Sequence, residues 1–219
     1  MRTPIPLMRF CLPLLLAALP LALAACEWNA HPPEATASGE EIFELCTSCH
    51  GTQGQGNPKF NAPAIAGLPK WYIEAQLKKF RTGVRGTHPA DITGMQMRPM
   101  AISFHNDQDL QAVAGYVAGL NRPNAVATAA GGDAAKGQTL YATCTACHGP
   151  DGAGNEQLKA PPLKHATDWY LIAQLKKFKS GERGANPGDL EGAQMRPMAA
   201  TLTDEQAIKD VVAHIMTLK

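Results

Sequence analysis

Two thiols and an imidazole stand in one short run, Cys46-Thr47-Ser48-Cys49-His50, and the run returns about 98 residues later as Cys144-Thr145-Ala146-Cys147-His148. Residues i and i+3 share one face of a helical turn, so both sulfurs of each run can bond to the vinyl carbons of a single porphyrin. Cys-x-x-Cys followed at once by histidine is the attachment pattern of c-type haem. The histidine then emerges beneath the ring as the proximal iron ligand, His50 in the first run and His148 in the second. The predicted cofactors are therefore two covalent haem c groups, bonded through Cys46, Cys49, Cys144 and Cys147. Two Cys-x-x-Cys pairs sharing one zinc would stand roughly 15 to 20 residues apart, far closer than here. A thioredoxin-like dithiol expects a βαβ context and has no use for a histidine beside each second cysteine.

A sixth ligand is expected from Gly94-Met95-Gln96-Met97-Arg98-Pro99-Met100-Ala101, read as a loop, and from its counterpart in the second half. Thioether sulfur is a soft ligand that favours ferrous iron and raises the potential, which suits electron carriage. Met95 matches Ala193, so a role common to both halves falls to Met97 and Met195 or to Met100 and Met198.

The elements that must position these groups follow from the repeat, which divides the 219 residues into halves of about 95 each. Each half alone has a marginal core, to which a buried haem adds a large apolar body. The fold class predicted is all-α, with tandem helical domains at 38–122 and 133–219 and an Ala/Gly/Pro-containing linker at 123–132. Ser38 caps a first helix running to Cys49, with Glu40 and Glu41 in its first turn. An amphipathic helix from Trp71 to Arg81 is closed by Gly83, and its twin from Trp169 to Lys179 by Gly181. Trp71, Tyr72, Leu77 and Phe80 are expected to pack in the core against the haem. Leu110, Val113, Val117 and Leu120 mark a helix from Asn106 to Leu120. The second half opens at an Asp133 cap and ends in a helix from Asp204 to Leu218, capped by Thr203. The glycine-rich Gly51 to Asn57 lets the backbone wrap round the haem edge, and neither a preceding strand nor a following Lys-Ser/Thr supports a phosphate loop.

At the N-terminus Arg2 and Arg9 precede an apolar run, Phe10 to Ala25, of about 16 residues, short of the roughly 20 that span a bilayer. The run ends Leu23-Ala24-Ala25-Cys26, which resembles the lipobox of bacterial lipoproteins. The expectation is a signal peptide at 1–25, acylation of Cys26, and a tether at 26–37 containing Trp28 and His31. Cys11 lies in the leader, so no cysteine is left for a structural disulfide. Twenty Lys and Arg side chains against nineteen Asp and Glu give no basic surface that argues for nucleic acid.

The haem motifs, Pro63 and Pro161, and the two Gln-Met-Arg-Pro-Met segments resemble two class I cytochrome c domains in tandem, as in cytochrome c4 and related di-haem cytochromes. The resemblance covers nearly all of the mature chain. It implies that the carbonyls of Pro63 and Pro161 accept the ring N–H of the proximal histidines, which orients the ligand and makes it more basic. It implies that the face bearing Gly39 and Phe43, matched by Gly137 and Tyr141, crosses the last helix of each half. Met195 lies eight residues before Thr203, which resembles the ligand spacing of the family and favours Met97 and Met195 as axial ligands, with Met100 and Met198 as packing. Arg85 and Arg183 suit haem propionates or solvent equally. His31, His88, His105, His165 and His214 each lack a partner in the other half, and His88 is the best of them for a bis-histidine site.

The function implied is single-electron carriage in a periplasmic or membrane-surface respiratory chain, by a protein exported to the periplasmic side and lipid-anchored to a bacterial membrane. The donor would be a quinol-oxidising complex or dehydrogenase, and the acceptor a terminal oxidase or reductase. The alternatives are a haem subunit of an oxidase or dehydrogenase and a di-haem enzyme such as a peroxidase, which would need an open iron position.

Overall fold

The computed structural model describes residues 37–218 other than 105, 123, 125, 126 and 130. The leader, Cys11, Cys26, Trp28, His31 and His105 lie outside the described residues. Among the described residues the regular elements are helices, and single antiparallel bridges join Asn57 to Ala62 and Asn155 to Ala160.

Helix α1, Gly39–His50, starts with a reciprocal cap: Glu41 donates its N–H to the Ser38 hydroxyl, and Ser38 donates its N–H to the Glu41 carboxylate at 2.7 Å. It packs on α4, Asp107–Gly119. At the crossing a Cβ on Gly39 would lie 2.2 Å from the Ala112 carbonyl oxygen, so only glycine lets the backbones approach this closely. The second half repeats this with α5, Ala134–Tyr141, on the last helix, α9, Glu205–Ile215. There a Cβ on Gly137 would lie 1.9 Å from the Asp210 carbonyl oxygen. One turn on, Phe43 packs on Tyr116 at 5.4 Å between ring centroids, and Tyr141 on His214 at 5.2 Å.

In the second half the motif helix is interrupted. α5 ends at Tyr141, and α6, Thr145–His148, carries the histidine. Thr143 donates its hydroxyl to the Leu140 carbonyl, a local bonding that bends helices, whereas Leu45 stands at that position in the first half.

Between these pairs run α2, Lys70–Arg81, and α7, Asp168–Ser180, each followed by a helix where a loop was expected: α3, Ile92–Ile102, and α8, Leu190–Ala200. The methionine segments are helical because Asp91 and Asp189 cap them, accepting the N–H groups of Gly94 and Gly192 at 3.0 and 3.2 Å. Ala101 and Ala199 pin the far ends in the core. Pro99 and Pro197 lie inside these helices, where each removes one hydrogen bond without ending the helix. The cap of α9 also differs from expectation. Asp204, not Thr203, accepts the Ala207 N–H at 2.8 Å.

Each half has its own small core: Ile42, Phe43, Phe104, Leu110, Val113 and Val117 in the first, and Tyr141, Leu171, Leu202, Ile208, Val211, Val212 and Ile215 in the second. Of the four α2 residues expected there, only Phe80 is buried. Leu77 borders the first core half-buried, while Trp71 and Tyr72 turn toward the second half. Lys159 places its ammonium 5.5 Å from the Trp71 ring, and the Tyr72 hydroxyl meets Arg183.

Candidate haem sites

His50 ends α1 with its ring buried, and His148 ends α6 in the same way. The ring Nδ1 of His50 lies 2.7 Å from the Pro63 carbonyl oxygen, and that of His148 lies 2.8 Å from the Pro161 carbonyl. A carbonyl only accepts, so Nδ1 carries the proton and Nε2 keeps its lone pair for a metal. Burial pushes both imidazoles down and the carbonyl contact pulls them partly back, leaving each below its ordinary value and neutral at pH 7. The carbonyl is delivered by the glycine loop: the His50 carbonyl accepts the Gly56 N–H at 2.7 Å. Gly56, at φ +84°, lies so close to the strand of chain beyond Pro63 that a Cβ would meet the Ala64 nitrogen at 2.5 Å.

Of the four motif cysteines, Cys46 and Cys144 are half-buried and Cys49 and Cys147 are exposed. Burial and the neighbouring Cys49 push the Cys46 thiol up to about 11, and burial likewise raises Cys144. Met97 and Met195 are half-buried on α3 and α8, whereas Met95, Met100 and Met198 are exposed at 46%, 39% and 43%.

Between the halves lies a reciprocal set of contacts that sequence reasoning missed. Gln76 accepts from Arg85 at 2.7 Å and from Arg183 at 3.0 Å; Gln174 accepts from Arg183 at 2.9 Å and from Arg85 at 3.1 Å. Each guanidinium also lies 4.5 Å from a phenylalanine ring, Phe80 for Arg85 and Phe178 for Arg183. Lys79 binds Asp189 at 2.5 Å, and its twin Lys177 binds Asp91. Each of these contacts has its mirror 98 positions away, the self-complementary pattern of a two-fold interface drawn within one chain. The signal available in the sequence was that Gln76, Lys79, Arg85 and Asp91 recur in the second half.

Solvent is thereby excluded as the partner of Arg183, which is buried, and Arg85 is shared with the second half in the same way. The Nε atoms of Arg85, Arg98 and Arg183 are buried without a hydrogen-bond partner. Buried donors of this kind suit the carboxylates of a haem, and together with the paired thiols and the free Nε2 atoms they make the residues present a fit for the group. His88 is exposed and accepts the Ala90 N–H at 3.2 Å, as Asn186 accepts that of Gly188 at 2.9 Å. It closes a turn. His165 occupies a left-handed backbone position, φ +63°, that Gly67 fills in the first half.

Two helical halves, each ending a helix in a histidine held by a proline carbonyl beside a Cys-x-x-Cys pair, define a di-haem c-type cytochrome. The chain belongs to the cytochrome c family, whose model matches residues 36–121 and again 134–219. It is 33% identical over 191 residues to a thiosulfate dehydrogenase electron acceptor of Thiomonas intermedia, covering 82% of this chain and 77% of that one. It is 33% identical over 196 residues to cytochrome c4 of Pseudomonas aeruginosa, covering 84% and 87%. The crystal structure of reduced cytochrome c4 from Pseudomonas stutzeri superposes with a TM-score of 0.67 at 28% identity, over 83% of this chain and 97% of that one. The protein carries two haem c groups, and electron carriage rather than catalysis is its activity.

Proposed function

We propose that the chain shuttles single electrons at the periplasmic face of a bacterial membrane, with His50 and Met97 on one iron and His148 and Met195 on the other. The haems, bonded through Cys46, Cys49, Cys144 and Cys147, supply the ferric/ferrous couple. The protein's part is to hold that couple still. The Pro63 and Pro161 carbonyls fix each imidazole and keep it basic, and the buried guanidiniums of the interface offer donors to the haem carboxylates. The carrying observation is the pair of histidine–carbonyl contacts, identical in the two halves.

Donor and acceptor follow by analogy. A relative is named an electron acceptor of thiosulfate dehydrogenase, which supports a dehydrogenase, or else a quinol-oxidising complex, as the donor here. A terminal oxidase or reductase would accept. Acylation of Cys26 would tether the domains at 38–122 and 133–219 through residues 26–37, concentrating the carrier near its partners.

Half-burial of Met97 and Met195, against the exposure of Met100 and Met198, supports the inner pair as ligands. The test is the ferric methionine-to-iron charge-transfer band. Met97→Ala and Met195→Ala should each remove about half of it, since each half carries one iron. Met100→Ala and Met198→Ala should leave it whole. A full band in both inner variants transfers the role to the outer pair.

A further inference from the structure

We propose that Lys79 and Lys177 act across the interface, each fixing the methionine helix of the opposite half, so that the firmness of one iron's thioether ligand is set by a lysine of the other domain. This rests on the methionine reading above.

The geometry runs through the caps. Asp189 starts α8, the helix that carries Met195, and accepts the Gly192 N–H at 3.2 Å. A Cβ on Gly192 would stand 2.1 Å from the Asp189 carboxylate, which shows how tightly that carboxylate is pressed into the first turn. It is almost wholly buried, its side chain 3% exposed. An unpaired charge there would be costly, and the cation that balances it comes from the first half: Lys79 reaches Asp189 and Glu191, both at 2.5 Å. Asp91 repeats the arrangement at the start of α3, the helix of Met97: Lys177 of the second half meets its carboxylate and lies 2.5 Å from the Thr93 hydroxyl. Without its lysine the buried carboxylate is left unpaired and turns toward water, which releases the cap from which the methionine helix is built.

The two sides are unequal. Lys79 joins two carboxylates, whereas Lys177 joins one carboxylate and a hydroxyl. The second haem should therefore depend more strongly on its partner than the first.

The test uses the complete holoprotein and free imidazole as competitor for the thioether, followed by the charge-transfer band and by the NMR resonance of each iron-bound methionine methyl. Lys79→Met should raise imidazole affinity at the second haem by about tenfold, equivalent to about 1.4 kcal/mol, and leave the first within about twofold. Lys177→Met should do the reverse with a smaller factor. Lys79→Arg should restore most of the hold, and Asp189→Asn, which caps without charge, should abolish the effect of Lys79→Met. Equal weakening at both haems would show that the lysines only glue the halves together, and weakening at the lysine's own haem, or at neither, likewise overturns the proposal. Absence of the band from the unaltered protein overturns the methionine reading and this proposal with it. If Lys79→Met does not fold, the Lys177→Met and Asp189→Asn variants carry the same comparison.

Discussion

Gly137 presses against the backbone of Asp210 so closely that a single methyl group there would lie 1.9 Å from the carbonyl oxygen. The same relationship joins Gly39 to Ala112. Gly137→Ala should therefore push α5 off α9 and destabilise the second half by about 1 to 3 kcal/mol, the range for overpacking. Gly115 is the contrast: it lies in α4 with nothing nearer a Cβ than the Lys70 side chain at 3.9 Å. Gly115→Ala should stabilise the first half by up to about 1 kcal/mol through helix propensity. Denaturant unfolding read by far-UV circular dichroism separates the two outcomes. Equal destabilisation would remove the crossing argument.

The Pro63 carbonyl reaches His50 only because Gly56 lets the loop lie flat against it. Gly56→Ala should displace that carbonyl, make the imidazole a poorer electron donor to iron and raise the potential of the first haem alone. Redox titration of the holoprotein, with the haems resolved by NMR, checks this. An unchanged first potential would mean that the contact orients the ring without tuning it.

Asp91 gives the interface an acid limit. Burial pushes its carboxyl up, but the hydrogen bond and charge of Lys177, the Gly94 N–H and the charge of Arg85 together hold it below the ordinary carboxylate value. A group that binds its proton more weakly when folded contributes stability above its unfolded pKa of about 4, and loses it as pH falls through the lower folded value. The unfolding midpoint should stay level from neutral pH to about 4 and fall below that. Asp91→Asn should have a lower midpoint at neutral pH and a shallower acid decline. A decline identical to that of the unaltered protein would assign the acid limit to other carboxylates.

Much of this was legible in the sequence because the repeat supplies each motif twice. The haem runs, the Ser38 and Asp133 caps, and the glycines Gly39 and Gly137 stand where local chemistry put them. Three features were not legible for definite reasons. Proline and glycine made the methionine segments look like loops, whereas the buried caps Asp91 and Asp189 hold them helical. Thr203 and Asp204 are adjacent residues with equal capping chemistry, and only the fold chooses between them. Gln76, Lys79 and Arg85 read as the wet face of an amphipathic helix and its turn, because a domain interface within one chain has no sequence period of its own.

The central claim is that both irons are held on two sides by this chain's own ligands, and carbon monoxide added to the reduced holoprotein at neutral pH tests it most directly. The absorption spectrum should stay unchanged over minutes, with both thioethers in place. A prompt shift of the Soret band at either haem would contradict the account and reveal an open iron position.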